Sequence, residues 1–176
     1  MSRSLFAIVA LGLTLALSAC ETQDPEEAAA AAQAQKAPPP ELHAPATADD
    51  KLWQPYLQQV ISRNQGAVTD HTTAYYLPAD SDTASPEDSD GKSKYDRQLE
   101  NVTTVVQRTV LPGNMLAFGS PNSARMADLI VAAFTGGAAD AMKGSQVLFI
   151  GKAEDKARVQ AAVEAVGAKY IFVEAK

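Results

Sequence analysis

Cysteine occurs once in this chain, at Cys20, tryptophan once, at Trp53, and histidine only at His43 and His71. A lone thiol forms no internal disulfide, so any folded part must hold by burial alone. With His43 in the stretch before residue 47, the folded part offers one candidate imidazole, His71, and no thiolate, so zinc is not expected. Three nucleotide and hydrolase signatures are missing. Gly91-Lys92-Ser93 resembles the end of a phosphate loop, but Pro86 stands where its first glycine is needed. Gly-x-Gly-x-x-Gly and the Gly-x-Ser-x-Gly elbow do not occur, and no cofactor is expected. A basic excess is lacking too. The 176 residues carry a formal charge of −6, which offers a phosphate backbone no electrostatic footprint, so nucleic acid is not an expected partner. The longest apolar run, Leu5 to Leu17, is shorter than the ~20 residues a membrane-spanning helix needs.

That run follows Arg3 and ends in Leu17-Ser18-Ala19-Cys20. A basic residue, a short apolar stretch and small residues before a cut site have the layout of an export signal. The last four residues resemble the lipobox of bacterial lipoproteins, and the resemblance covers residues 1–20 only. It implies cleavage before Cys20, a diacylglycerol thioether on the sulfur and a third acyl chain, palmitate in kind, on the amine. Each buried CH₂ of such chains contributes ~0.8 kcal/mol, so several chains anchor stably. In lipoproteins of this type an Asp after the cysteine favours retention in the inner membrane. Here the position holds Glu21, which points to the outer membrane, facing the periplasm.

Residues 20–46 are rich in Ala, Glu and Gln and contain Pro38-Pro39-Pro40. Such a stretch buries too little apolar area to offset its ordering entropy and reads as a disordered tether. As a flexible coil it would span ~28 Å, and fully extended ~80 Å.

Residues 47–176, with 13 bases and 16 acids, suit a single domain. Leu52, Trp53, Tyr56, Leu57, Val60 and Ile61 recur at helical spacing. Asp49 and Asp50 mark that helix's start, Pro55 fits only its first turn, and Gly66 is the stop. Thr72–Leu77 reads as a short strand, either parallel or an antiparallel edge. Tyr95, Leu99, Val102, Val106 and Val110 share a helical face, although the run Val102–Val106 is β-branched and competes as a strand. Met115–Phe118 is a strand. Ser120 and Pro121 are predicted as N-cap and first residue of the next helix, and residues 138–143 as a further helical turn. Val147–Ile150 has the continuous apolar character of a strand covered on both faces. Residues 153–166 form a helix, and Tyr170–Val173 the last strand. This alternation predicts a three-layer α/β domain with a largely parallel four-stranded sheet. A ferredoxin-like α+β fold is the alternative.

Three groups of residues could carry function. Asp80, Asp82, Glu87, Asp88 and Asp90 place five carboxylates in one loop with no base among them. Read as a calcium loop, its first ligand would be Pro86 and its last Arg97, so a cation site is not expected. A contact surface for a basic partner is. Gly119, Ser120, Asn122, Ser123, Gly151 and Lys152 follow strands and open helices, where backbone N–H groups can hold an anion. His71 beside Asp70 is the one candidate for a Ser-His-Asp hydrolase. The expected function is that of a lipid-anchored periplasmic lipoprotein, a non-enzymatic module that binds an envelope or periplasmic protein. Inhibition of a periplasmic toxin and service in an envelope assembly are examples. A small-molecule or anion receptor and a His71 hydrolase are the alternatives.

Overall fold

The computed structural model describes residues 40–84 and 90–176. The predicted leader, Cys20 and the tether as far as residue 39 lie outside the described residues, as do Glu87 and Asp88. A compact unit runs from Glu41 to Lys176. Its elements are α1 (Asp50–Asn64), β1 (Thr72–Tyr76), α2 (Lys94–Gln107), β2 (Met115–Gly119), α3 (Ser123–Phe134), β3 (Gln146–Gly151), α4 (Lys156–Ala165) and β4 (Lys169–Glu174). A single 3₁₀ turn, Ala153–Asp155, leads into α4.

The four strands form one sheet in the order β1-β2-β3-β4. Every pair is parallel, with Thr72 opposite Met115, Met115 opposite Gln146 and Gln146 opposite Lys169. This is the predicted α/β architecture, and the antiparallel pairing that a ferredoxin-like fold requires is not present among the described strands. β1 is a parallel edge strand.

Because each strand is followed by its neighbour on the same side, the right-handed crossovers all put their helices on one face. There α2, α3 and α4 bury Val102, Val106, Met126, Ile130 and Val159 against Leu116, Phe118 and Phe149. The β-branched run thus forms a helix, because Val102 and Val106 stand four apart and both are fully buried. Ser93 and Asp96 close a reciprocal capping box at its start, which holds two otherwise orphaned N–H groups.

The other face is covered by one helix, α1, through Trp53, Tyr56, Leu57, Val60 and Ile61 over Met115, Ala117, Leu148 and Ile150. Asp49 caps α1, accepting the Lys51 N–H at 2.9 Å. Pro55 lies in the second turn rather than the first, so the Lys51 carbonyl loses its helical donor on an exposed side. The chain joins this layer before residue 47. Leu42 and Ala44 pack on the same apolar cluster. The Ala44 N–H donates to the Lys176 carbonyl at 2.6 Å, and the Trp53 indole N–H donates to the Thr47 carbonyl at 2.9 Å. Two small apolar groups among prolines and alanines carried no periodic signal.

Two local expectations differ from the structure. Asn122, not Ser120, caps α3, accepting the Arg125 N–H at 3.1 Å. β2 runs on through Gly119, and the Ser120 hydroxyl is buried, where it accepts the Asn122 N–H at 3.0 Å. That side-chain turn displaces the cap by two residues. Residues 138–143 are turns rather than helix. Gly136, at φ 86°, directs the chain out of α3 through a conformation that side chains resist.

Candidate functional site

The carboxyl ends of the strands carry the predicted anion loops. In open sheets a ligand crevice arises where strand order reverses, since neighbouring loops then diverge. The order β1-β2-β3-β4 has no reversal, so these loops stay side by side and bond to each other. The Lys152 N–H donates to the Ser123 hydroxyl at 2.8 Å. Ser123 in turn donates to the Asp155 carboxylate at 2.6 Å. Asp155 is only 4% exposed, and it also accepts from Arg158 at 2.7 and 3.1 Å. Arg158 continues to the Ala124 carbonyl at 2.9 Å and to Asp128, and these carboxylates raise the affinity of its guanidinium for its proton.

The structure therefore brings Ser123, Gly151 and Lys152 together but spends the Ser123 hydroxyl and the Lys152 N–H internally, around a buried negative charge. Gly119 and Gly151 serve packing. A Cβ on Gly119 would overlap the Leu57 side chain, and one on Gly151 would overlap Phe149 and Ser123. A shallow cleft of about 320 Å³ remains beside Asn122, Lys152 and Glu154.

The acidic loop is not bare either. Lys94 binds Asp80 at 2.9 Å, and Arg125 binds Asp82 at 2.5 and 2.8 Å. Arg97 binds Asp90 at 2.8 Å. The Lys92 N–H, donating to Asp90 at 3.1 Å, is the chief reason that its carboxyl titrates below the usual range. The Arg125 guanidinium also lies 3.3 Å from the centre of the Tyr95 ring. Bases on α2 and α3 thus pair with Asp80, Asp82 and Asp90, the members of the acidic set among the described residues.

His71 is exposed at the amino end of β1, and its carbonyl accepts the Met115 N–H. Its neighbour Asp70 accepts instead from the Asn114 amide at 3.0 Å. Ser120 and Ser123 lie at the opposite end of the strands, about 16 Å away at ~3.3 Å per residue. Ser145, at the amino end, donates to the Met142 carbonyl at 2.6 Å. Among the described residues no hydrogen bond joins a serine to His71, and Asp70 is turned to Asn114 instead.

What no motif announced is a groove on the α1 face. Leu57 sits over Gly119 and draws α1 toward the middle of the sheet. Tyr56 and Val60 stand beside Val173 of β4, and among the described residues the β1 side is left open. Ala74, though within the sheet, is exposed. The groove holds about 510 Å³ between Lys51, Gln54 and Gln58 of α1 and Ala74, Tyr76 and Ala117 of the sheet. One end is closed by Tyr76, whose hydroxyl donates to Asp50 at 2.6 Å. Burial, then the Asp50 carboxylate, hold that phenol well above its ordinary titration range.

On the other flank of α1 a cavity of about 310 Å³ lies among Leu42, Tyr56, Val60 and Val173. The buried Tyr56 hydroxyl there has no hydrogen-bond partner. Open space over an uncrossed half-sheet follows from where a helix lands, which composition does not encode.

No family model, curated protein or solved structure matches this chain.

Proposed function

We propose that this chain is a lipid-anchored domain on the periplasmic side of the outer membrane, which binds another envelope protein through the groove beside α1. The anchor rests on the lipobox-like Leu17-Ser18-Ala19-Cys20 and on the affinity that several acyl chains supply. The observation that carries the binding role is the groove itself, about 510 Å³ with an exposed alanine on its floor. Concave, largely apolar surfaces with a polar rim are where proteins place recognition. This reading puts the contact on α1 and β1, because Asp80, Asp82 and Asp90 already hold ion pairs and Glu87 and Asp88 lie outside the described residues.

A photo-reactive amino acid at Gln54, in the groove, tests this in intact cells against the same group at Leu111, an exposed position outside it. The reading expects a discrete adduct with one envelope protein from position 54 and none from 111. Identical patterns from both positions, or none from either, would overturn it.

A further inference from the structure

We infer that β1 is a docking edge, on which an extended segment of the partner, apolar at alternate residues and flanked by lysine or arginine, adds as a fifth strand. This rests on the groove being the binding site and names the chemistry of what enters it.

The hydrogen-bond phase of β1 shows which groups are available. Met115 N–H donates to the His71 carbonyl at 2.8 Å, and Leu77 N–H donates to the Gly119 carbonyl at 3.2 Å. Odd-numbered residues from 71 to 77 therefore turn their main-chain groups toward β2. Thr72, Ala74 and Tyr76 turn theirs outward, and these groups have no partner among the described residues. Such a row is a template for another strand, which proteins ordinarily blunt with charge, proline or a cover. Thr72–Tyr76 has neither charge nor proline. The opposite edge, β4, carries Lys169 and Glu174 at its ends, and Ala44 bonds to the Lys176 carbonyl just beyond it.

Pairing and groove are continuous. A strand alongside Thr72, Ala74 and Tyr76 would turn alternate side chains to the α1 face, because residues alternate across a sheet. Those side chains would enter the space between Ala74 and Gln54. Burial there supplies the apolar term, and the main chain supplies direction.

Charge selects the occupant. Asp49, Asp50 and Asp80 all bear on Tyr76 at the carboxyl end of β1, and Asp70 stands at its amino end. With Asp80 answered by Lys94, Asp49 and Asp50 still outnumber Lys51, the cation in the groove lining, and Asp70 stands at the other end, so the edge stays net acidic at both ends. A basic flank on the partner complements it. A second copy pairing antiparallel across a twofold axis would set Asp70 of one chain against Asp49 and Asp50 of the other. Like charges oppose that arrangement.

The probe is a synthetic peptide alternating valine and threonine between lysine pairs, added to the full lipidated chain in detergent. Amide exchange by NMR should slow about tenfold or more at Thr72, Ala74 and Tyr76, while Thr73 and Tyr75 stay unchanged. Replacing the lysine pairs by glutamate should weaken binding about tenfold, and N-methylating alternate peptide nitrogens should abolish it. The inference falls if saturating peptide leaves the three amides unchanged, if the N-methylated form binds equally, or if no peptide binds. Protection that depends on protein concentration without peptide would assign the edge to a second copy instead. A groove-specific cross-link from position 54 with unprotected amides would sink strand addition alone. Failure of the cross-link would sink the groove reading itself.

Discussion

The hydroxyl of Ser123 donates to the carboxylate of Asp155 across 2.6 Å, although the two residues lie 32 positions apart. The bond joins the loop after β2 to the loop after β3, and Lys152 N–H and Arg158 complete it. Its role is to close the carboxyl edge of the sheet, where a ligand would otherwise be sought. Ser123→Ala leaves a buried carboxylate short of a donor and an N–H short of an acceptor, which costs about 1–3 kcal/mol. Asp155→Ala should cost at least as much, since it also takes a carboxylate partner from Arg158, and the double variant less than the sum, because both remove one bond. Urea unfolding of the three variants checks this; additive losses would show the pair to be uncoupled.

Gly119 lies directly beneath Leu57, where a Cβ would overlap the leucine's branch methyls. Gly119→Ala should therefore destabilise by about 1–3 kcal/mol through overpacking. Adding Leu57→Ala should relieve that clash, so the pair costs less than the separate losses combined. Thermal unfolding decides the matter. An unchanged Tm for Gly119→Ala would mean that α1 does not rest on this position.

Tyr56 is 5% exposed and its hydroxyl is unpartnered. Burial has raised its pKa, so it stays neutral at physiological pH, yet its desolvation is uncompensated. Tyr56→Phe keeps the ring that meets Trp53 edge-on at 5.5 Å and removes the stranded group. Stability should rise by about 1 kcal/mol. A loss of that size would reveal a partner for the hydroxyl, an ordered water above all.

Acid should weaken the start of α2. The Ser93 hydroxyl and N–H both bond the Asp96 carboxylate, in that order of importance, and hold its pKa below the ordinary 3.8. A carboxyl whose folded pKa is depressed contributes stability that is complete above its unfolded pKa. That contribution disappears as pH falls through the lower folded value. Asp96→Ala should be less stable than wild type at neutral pH, and the two should converge as pH falls below the ordinary carboxyl value of 3.8. Denaturant midpoints measured across that range check the sign. A constant gap would mean that Asp96 contributes nothing through its charge.

The helices were legible because each has a periodic apolar face, and the central strands because they are short continuous apolar runs bounded by turn residues. Val102 and Val106 show how one signal overrides another. β-branched residues favour strands, but at four-residue spacing they bury together only on a helix. Asn122 was misread because Ser120 and Pro121 offer the same cap chemistry two residues earlier, and only the length of β2 decides between them. The ion pairs of the acidic loop were not legible for a different reason. Lys94, Arg97 and Arg125 lie on α2 and α3, outside the loop itself, and charge balance in space is not charge balance along the chain.

Composition and spacing by themselves determined the alternation of strand and helix, and with it an α/β sheet. That follows because periodicity is a local property, set by how the backbone repeats. Tertiary structure alone decided that the strands run in unbroken order, that three helices share one face, and that a single helix crosses the other. From those long-range facts come the closed carboxyl edge, the paired acids and the open flank at Ala74. Each depends on distances between residues far apart in the chain, and no window along the sequence contains them.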